Sequence, residues 1–213
     1  MNRDEIVGSI FIFFVCYLLG SIPAGYLLGK IKGLDIRKQG SGNIGFTNVY
    51  RIMGKTYGII TFIVDFLKGY LAVILTPYLC QMFDMAASSG IKTLAGLGAI
   101  IGHNWTFILR FKGGKGVLTS TGVFFALAPL ETTLTLCAFL ITVFRTHYIS
   151  MGSLVSAVLL PFLTWSLSAP FPVVWLSIAA GASIFYKHLP NIKRLKAGTE
   201  NSFSLFKKKQ QKN

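Results

Sequence analysis

The sequence predicts an all-α integral membrane protein: a bundle of seven transmembrane helices, some of them short, with motif-bearing loops on the cytoplasmic side. Three observations predict it. Of the 213 residues, 53% are hydrophobic and only 13% charged, against about 25% charged in a soluble domain; the mean hydropathy is +0.60. The apolar residues fall in runs near the ~20 residues that a spanning helix needs. The basic residues, which give a net charge of +14, stand at the ends of those runs. Membrane topology and an anionic lipid surface therefore account for them, and nucleic acid does not.

Residues 6–28 form the first expected span, uncleaved because no basic segment precedes it. Pro23 should kink it, and Gly25 and Gly29 should let a neighbouring helix approach. Residues 57–82 and 93–111 follow as the second and third spans. Residues 117–144 are too long for one ordinary span. A turn at Ala128-Pro129-Leu130-Glu131 makes two short helices of them, each ~20 Å long, and keeps the basic loops on one face. Residues 149–167 and 171–186 are the sixth and seventh spans. With the N-terminus outside, 18 of the 21 Lys and Arg are cytoplasmic; Arg3 and Lys92 lie outside and Lys68 within a helix. Residues 203–213 read as a basic, disordered cytoplasmic tail after a single transmembrane domain over 1–202. Cys16, Cys80 and Cys137 each sit in an apolar run without metal spacing, and read as buried small residues.

Three polar islands interrupt the apolar sequence. The first is Gly40-Ser41-Gly42-Asn43-Ile44-Gly45-Phe46-Thr47-Asn48 with Arg51. The second is Lys112-Gly113-Gly114-Lys115-Gly116. The third runs from His188 through Asn191 and Arg194 to Glu200. Glycines can turn backbone N–H groups onto one point, and such a nest beside a cation suits a phosphate. A single basic loop would need no such explanation; three loops with different chemistry do.

Several other chemistries are absent. The Gly114-Lys115 pair lacks the remaining residues of a nucleotide-phosphate loop, since Leu109 and Gly116 occupy the required positions. The seven acidic residues are scattered without metal spacing. No Gly-x-Ser-x-Gly elbow occurs, and no His is followed five positions later by Asp. Asp65 and Lys68, three apart in the second span, read as an intramembrane ion pair.

These islands resemble the bacterial acyl-phosphate:glycerol-3-phosphate acyltransferases. The resemblance covers nearly the whole chain. It takes in Leu19-Gly-Ser-Ile-Pro-Ala-Gly25, Gly40-Ser-Gly-Asn-Ile-Gly45 with Thr47, Asn48 and Arg51, Asp65-Phe-Leu-Lys68-Gly69 and Gly102-His103. It continues through Phe111 to Val117, Tyr148-Ile-Ser150, and His188-x-x-Asn191 with Arg194, Gly198 and Glu200. Phe46, Trp105-Thr106 and Thr146-His147 depart from the family pattern.

The resemblance implies a seven-helix enzyme of the bacterial cytoplasmic (inner) membrane. It would transfer a fatty acyl group from acyl phosphate to the 1-hydroxyl of sn-glycerol 3-phosphate, giving lysophosphatidic acid and phosphate. This would be the first acylation of bacterial phospholipid synthesis. No metal or other cofactor is implied. Membrane lipid, the enzyme that forms acyl phosphate and the next acyltransferase are the implied partners.

On this reading the catalytic residues are Ser41, Arg51, Lys115, His188 and Asn191. Arg51 and Lys115 bind phosphates, helped by the Ser41-Gly42-Asn43 and Gly113-Gly114 backbones. Asn191 and His188 orient the acceptor or stabilise the developing oxyanion, and the base is either His188 or a substrate phosphate. Gly40, Gly42, Asn43, Thr47, Asn48, Lys112, Gly113, Gly114, Gly116, Ser153, Arg194 and Glu200 complete the binding set. The acyl chain lies between helices, open to lipid. The alternative is a transporter or channel for a phosphorylated solute, disfavoured by the lack of repeat symmetry.

The basic-residue asymmetry makes a topological prediction. Tags at positions 1 and 213 should report opposite faces, the N-terminus outside. Labelling from outside sealed cells that reaches cysteines placed at positions 40–50 defeats it.

Overall fold

The computed structural model describes residues 3–203. Among these it is helical without strands. Eleven α-helices follow one another: α1 (Arg3–Gly20), α2 (Ala24–Ile31), α3 (Phe46–Met53), α4 (Lys55–Ile74), α5 (Thr76–Gln81), α6 (Ser89–Asn104), α7 (Val117–Leu127), α8 (Pro129–Thr146), α9 (Ile149–Ser166), α10 (Phe171–Lys187) and α11 (Leu189–Lys196). Residues 204–213, most of the expected tail, lie outside the described residues. Phe203 is packed against the rings of Phe46 and Tyr50.

The proline break appears where expected. α1 stops at Gly20 and α2 starts at Ala24, with Pro23 between them. The turn at Ala128 also appears, but the two helices beside it are unequal. α7 has 11 residues and α8 has 18, or ~16 and ~27 Å at 1.5 Å per residue, so only α7 falls well short of the hydrocarbon core. By length and composition three segments suffice to cross a membrane: Arg3–Ile31, Lys55–Gln81 and Ile149–Ser166. α7 and α10 are shorter apolar helices. Two helices are additional to the expected spans. α3 lies in the first island and α11 in the third, and each is an eight-residue polar-faced helix.

Helices pair through very close contacts. α1 packs on α6, α4 on α7, and α9 on both α8 and α10. A Cβ at Gly102 of α6 would overlap the Tyr17 carbonyl of α1; one at Gly122 of α7 would overlap the Phe66 carbonyl of α4. Without a hydrophobic drive between helices in lipid, such backbone-to-backbone approach is the main source of packing attraction. Gly25 serves a different contact from the one expected. Its missing side chain admits Ile44 and Val49 of the first island, so at this position the island and α3 pack on α2, while α4 packs on α2 elsewhere.

The first island has a core of its own. Ile36, Ile44, Val49, Met53 and Leu109 are buried together beneath Tyr26, Leu28, Leu34 and Tyr57. The loop is thereby fixed on the bundle. Cys16 and Cys80 are buried, but Cys137 is exposed on α8, because it points away from the bundle where lipid would lie.

Gly102→Val should disrupt the α1–α6 contact. Overpacking costs about 1–3 kcal/mol, more where the clash is with backbone, so the purified variant should unfold at a distinctly lower temperature in the same detergent. Unchanged thermal unfolding would show that α1 can move aside freely.

Candidate active site

The three islands meet at one cavity of about 870 Å³. From the first island Ser41, Asn43, Thr47, Asn48 and Arg51 line it. Lys115 and Gly116 come from the second, Ser153 from α9, and His188, Asn191, Arg194 and Glu200 from the third. Of the remaining expected residues, Gly40, Gly42, Lys112, Gly113 and Gly114 do not line it. Lys112 is exposed, and the glycines shape the loops behind the surface. The other end of the cavity is apolar, with Phe125, Leu136, Phe139, Leu160 and Gly181 among its walls.

In the first island, Asn48 is buried and its amide is fully engaged. Its Oδ1 accepts from Ser41 N at 2.9 Å, and its Nδ2 donates to the carbonyls of Gln39 at 3.0 Å and Asn43 at 2.9 Å. Gly40 and Gly42 take positive φ, +56° and +73°, which lets the chain wrap around that amide. Asn48 therefore shapes the loop from inside.

The backbone nests expected for phosphate are also taken up internally. Ser41 N goes to Asn48, Gly42 N to the Gln39 carbonyl at 2.9 Å and Gly45 N to Asn43 Oδ1 at 3.1 Å. Gly113 N and Gly114 N bond the carbonyls of Asn104 at 3.3 Å and His103 at 3.0 Å. The reason is general: buried N–H groups need partners, and these loops satisfy their own. Side chains are left to face the ligand. Arg51, on α3, has no side-chain ion pair among the described residues and stands at the cavity wall.

The second and third islands are joined by a chain of polar contacts. Lys115 Nζ donates to Asn191 Oδ1. Asn191 Nδ2 donates to Glu200 Oε1 at 2.6 Å. Glu200 also accepts from Ser150 Oγ at 2.9 Å and, through Oε2, from Arg194 Nε at 2.7 Å. Burial opposes the charge on Glu200, but the hydrogen bonds from Asn191, Arg194 and Ser150 outweigh it and hold the carboxyl below its usual range. Burial pulls the Lys115 ammonium down to about 8; Glu200 opposes that shift and Arg194 adds to it.

His188 caps α10 from its C-terminal end. Its Nδ1 lies 2.8 Å from the Ile184 carbonyl, so Nδ1 carries the proton and Nε2 is left as an acceptor in the neutral ring. Burial, then the nearby Lys115 charge, push the imidazole down to about 4, despite the Ile184 bond and Glu200. It is neutral at physiological pH and is a weak base.

Four contributors were not assigned to the site from sequence, although Asp65, His103 and Ser150 stand in the motifs that carry the resemblance. Ser150 buttresses Glu200. Phe203 N donates to the His147 carbonyl at 2.7 Å, and Asn201 and Phe203 line the cavity. Asp65 and His103 line the cavity's inner wall; their signal was their charge or polarity inside apolar segments.

Residues 10–198 match the family described as glycerol-3-phosphate acyltransferase. The chain belongs to that family. A glycerol-3-phosphate acyltransferase of Geotalea daltonii is 44% identical over 187 residues, covering 88% of this chain and 93% of the relative. One from Aquifex aeolicus is 37% identical over 195 residues, covering 92% and 99%. The crystal structure of PlsY (YgiH), an integral membrane glycerol 3-phosphate acyltransferase, in its glycerol 3-phosphate form superposes with a TM-score of 0.84. It is 37% identical, covering 92% of this chain and 96% of that one. The family resemblance, the membrane placement and the helical fold expected from sequence all agree with these relatives.

Proposed function

We propose that this acyltransferase transfers an acyl group from acyl phosphate to the 1-hydroxyl of glycerol 3-phosphate, directly and without an acyl-enzyme. The observation that carries the reading is a cavity with two unlike ends. One end gathers Arg51, Lys115, Arg194, Asn191 and His188; the other is a long apolar cleft between α7, α8, α9 and α10. A donor with a charged phosphate on a hydrocarbon chain matches both ends at once. The PlsY structures in glycerol 3-phosphate and lysophosphatidic acid forms support the acceptor and product.

Acyl phosphate is already activated, so positioning and charge stabilisation suffice. The acceptor's hydroxyl oxygen attacks the acyl carbonyl carbon. The bond from that carbon to the phosphate oxygen breaks. The hydroxyl proton passes to the departing phosphate, which leaves as hydrogen phosphate. In this scheme Lys115 and Arg51 hold the two phosphates. Neutral His188 accepts the hydroxyl hydrogen bond at Nε2 as the acceptor docks and so aims the oxygen; the hydroxyl hydrogen turns to the phosphate as the new bond forms. With its basicity lowered to about 4, it serves as an orienting acceptor, and the phosphate is the better base. Ser41 contributes a hydroxyl at the same wall. With the N-terminus outside and the C-terminus cytoplasmic, the orientation we propose from the asymmetry of basic residues, this end of the cavity would open to the cytoplasm.

Two outcomes test the scheme. Lys115 must be charged, so kcat/KM should fall as pH rises through about 8. Lys115→Arg should remove that descending limb, and Lys115→Ala should cost about two to three orders of magnitude in rate. A limb that persists in Lys115→Arg assigns it to another group. In rapid-quench mass spectrometry with acyl phosphate alone, no protein adduct of acyl mass should form. An adduct that forms as fast as turnover and discharges to glycerol 3-phosphate defeats direct transfer, as does loss of activity when Cys16, Cys80 and Cys137 are replaced together in a folded protein.

A further inference from the structure

Behind the Lys115 loop lies a charged cluster that the scheme above does not use. Asp65 and Lys68 of α4 are both buried, with Lys68 Nζ 2.8 Å from Asp65 Oδ1. Lys68 Nζ also donates to the Ile22 carbonyl at 2.9 Å, in the break between α1 and α2. His103, at the end of α6, turns Nδ1 to within 3.5 Å of the same Asp65 oxygen. Its opposite edge lies flat against Gly114, where a Cβ would collide with Nε2 and approach Cε1 to 2.8 Å. The His103 carbonyl meanwhile accepts Gly114 N at 3.0 Å. The residue after Gly114 is Lys115.

A buried ion pair is weak evidence for stability, because apolar residues of like volume often replace one without loss. A pair kept inside a membrane span calls for a functional account. We infer that Asp65, Lys68 and His103 are positioning residues: the ion pair fixes the His103 ring, and the ring is the floor that aims Lys115 into the cavity. This inference rests on the reading of Lys115 as a phosphate-binding cation. Glu200, Arg194 and His188 face Lys115 from the other side and set its charge. The cluster sets its place.

The test is a double-mutant cycle in detergent. His103→Leu removes the polar ring and leaves the ion pair intact. It should lower kcat/KM about tenfold or more, while His103→Asn, which keeps a donor near the place of Nδ1, should recover most of that loss. In a Lys115→Ala background the same His103→Leu change should cost less than about twofold, because the two act as a unit. Where His103→Leu alone lowers kcat/KM, losses that simply multiply, or a His103→Asn variant no better than His103→Leu, overturn the inference. Should His103→Leu not fold, Asp65→Leu with Lys68→Met removes both charges together and is read in the same way; failure of both to fold marks the cluster as structural and also overturns it.

A second readout is independent of turnover. The pH midpoint at which a small amine-reactive reagent labels Lys115, followed by peptide mass spectrometry, should move by about one pH unit or more in His103→Leu. A moved midpoint with unchanged turnover upholds the positioning role and removes the catalytic role of Lys115. An unmoved midpoint overturns the positioning role.

Discussion

The bond from Lys115 to Asn191 is the contact on which the site depends. Lys115 stands in the loop two residues before α7 and Asn191 on α11, so one hydrogen bond joins the second island to the third. A buried ammonium is costly, and the arrangement offsets that cost in two steps. Asn191 supplies a neutral acceptor at contact distance. Glu200 supplies the opposite charge one bond further on. A carboxylate in direct contact would hold the ammonium more tightly, but it would also neutralise the charge that a phosphate needs. The relay through an amide leaves Lys115 charged and only partly satisfied, which is the state an anion can exploit.

The same logic explains why side chains rather than backbone face the cavity. Both glycine loops lie at helix ends near the hydrocarbon boundary, where an unpaired N–H is costly. They pair their own N–H groups with Asn48, Gln39, His103 and Asn104. Glycine is needed for that compactness: Gly116 takes φ +79° and presses on the Asn104 amide. The result is a rigid polar wall from which Arg51, Lys115 and Ser41 project.

Much of this was legible in the sequence, and the remainder has identifiable causes. The three islands announced themselves because charge and glycine are rare in a chain this apolar. The breaks at Pro23 and Ala128 followed from residue chemistry. The short helices α3 and α11 did not stand out, because eight residues give too few repeats for a periodicity to show. The internal pairing of the loop N–H groups could not be read either, since Gly113 and Gly114 find their partners on α6, a span earlier in the chain. The role of His103, though not the residue itself, was hidden for a related reason. Its importance lies in what stands on either side of its ring, Asp65 at Nδ1 and Gly114 against Nε2 and Cε1, and neither contact is local in sequence. Ser150 likewise meets Glu200 across fifty residues.

The charge states of the site suit one another. His188 is kept neutral by burial and by the Lys115 charge beside it, so it accepts a hydrogen bond instead of competing with Lys115 for an anion. Lys115 sits near about 8 before any ligand arrives. A phosphate brings negative charge to the ammonium and favours its protonated form, so anion binding and protonation of Lys115 strengthen each other. The coupling also has a consequence for release. In the proposed transfer, once the acyl group has moved, one phosphate would no longer be tethered to the hydrocarbon chain that occupied the apolar cleft. It would then be held only by charge and hydrogen bonds at the polar wall, without the apolar contacts. The product that keeps the chain retains the apolar contacts and has a route sideways into lipid between the helices. In the proposed transfer, two ends of unlike character would thus bind both substrates together and let the two products leave by different paths.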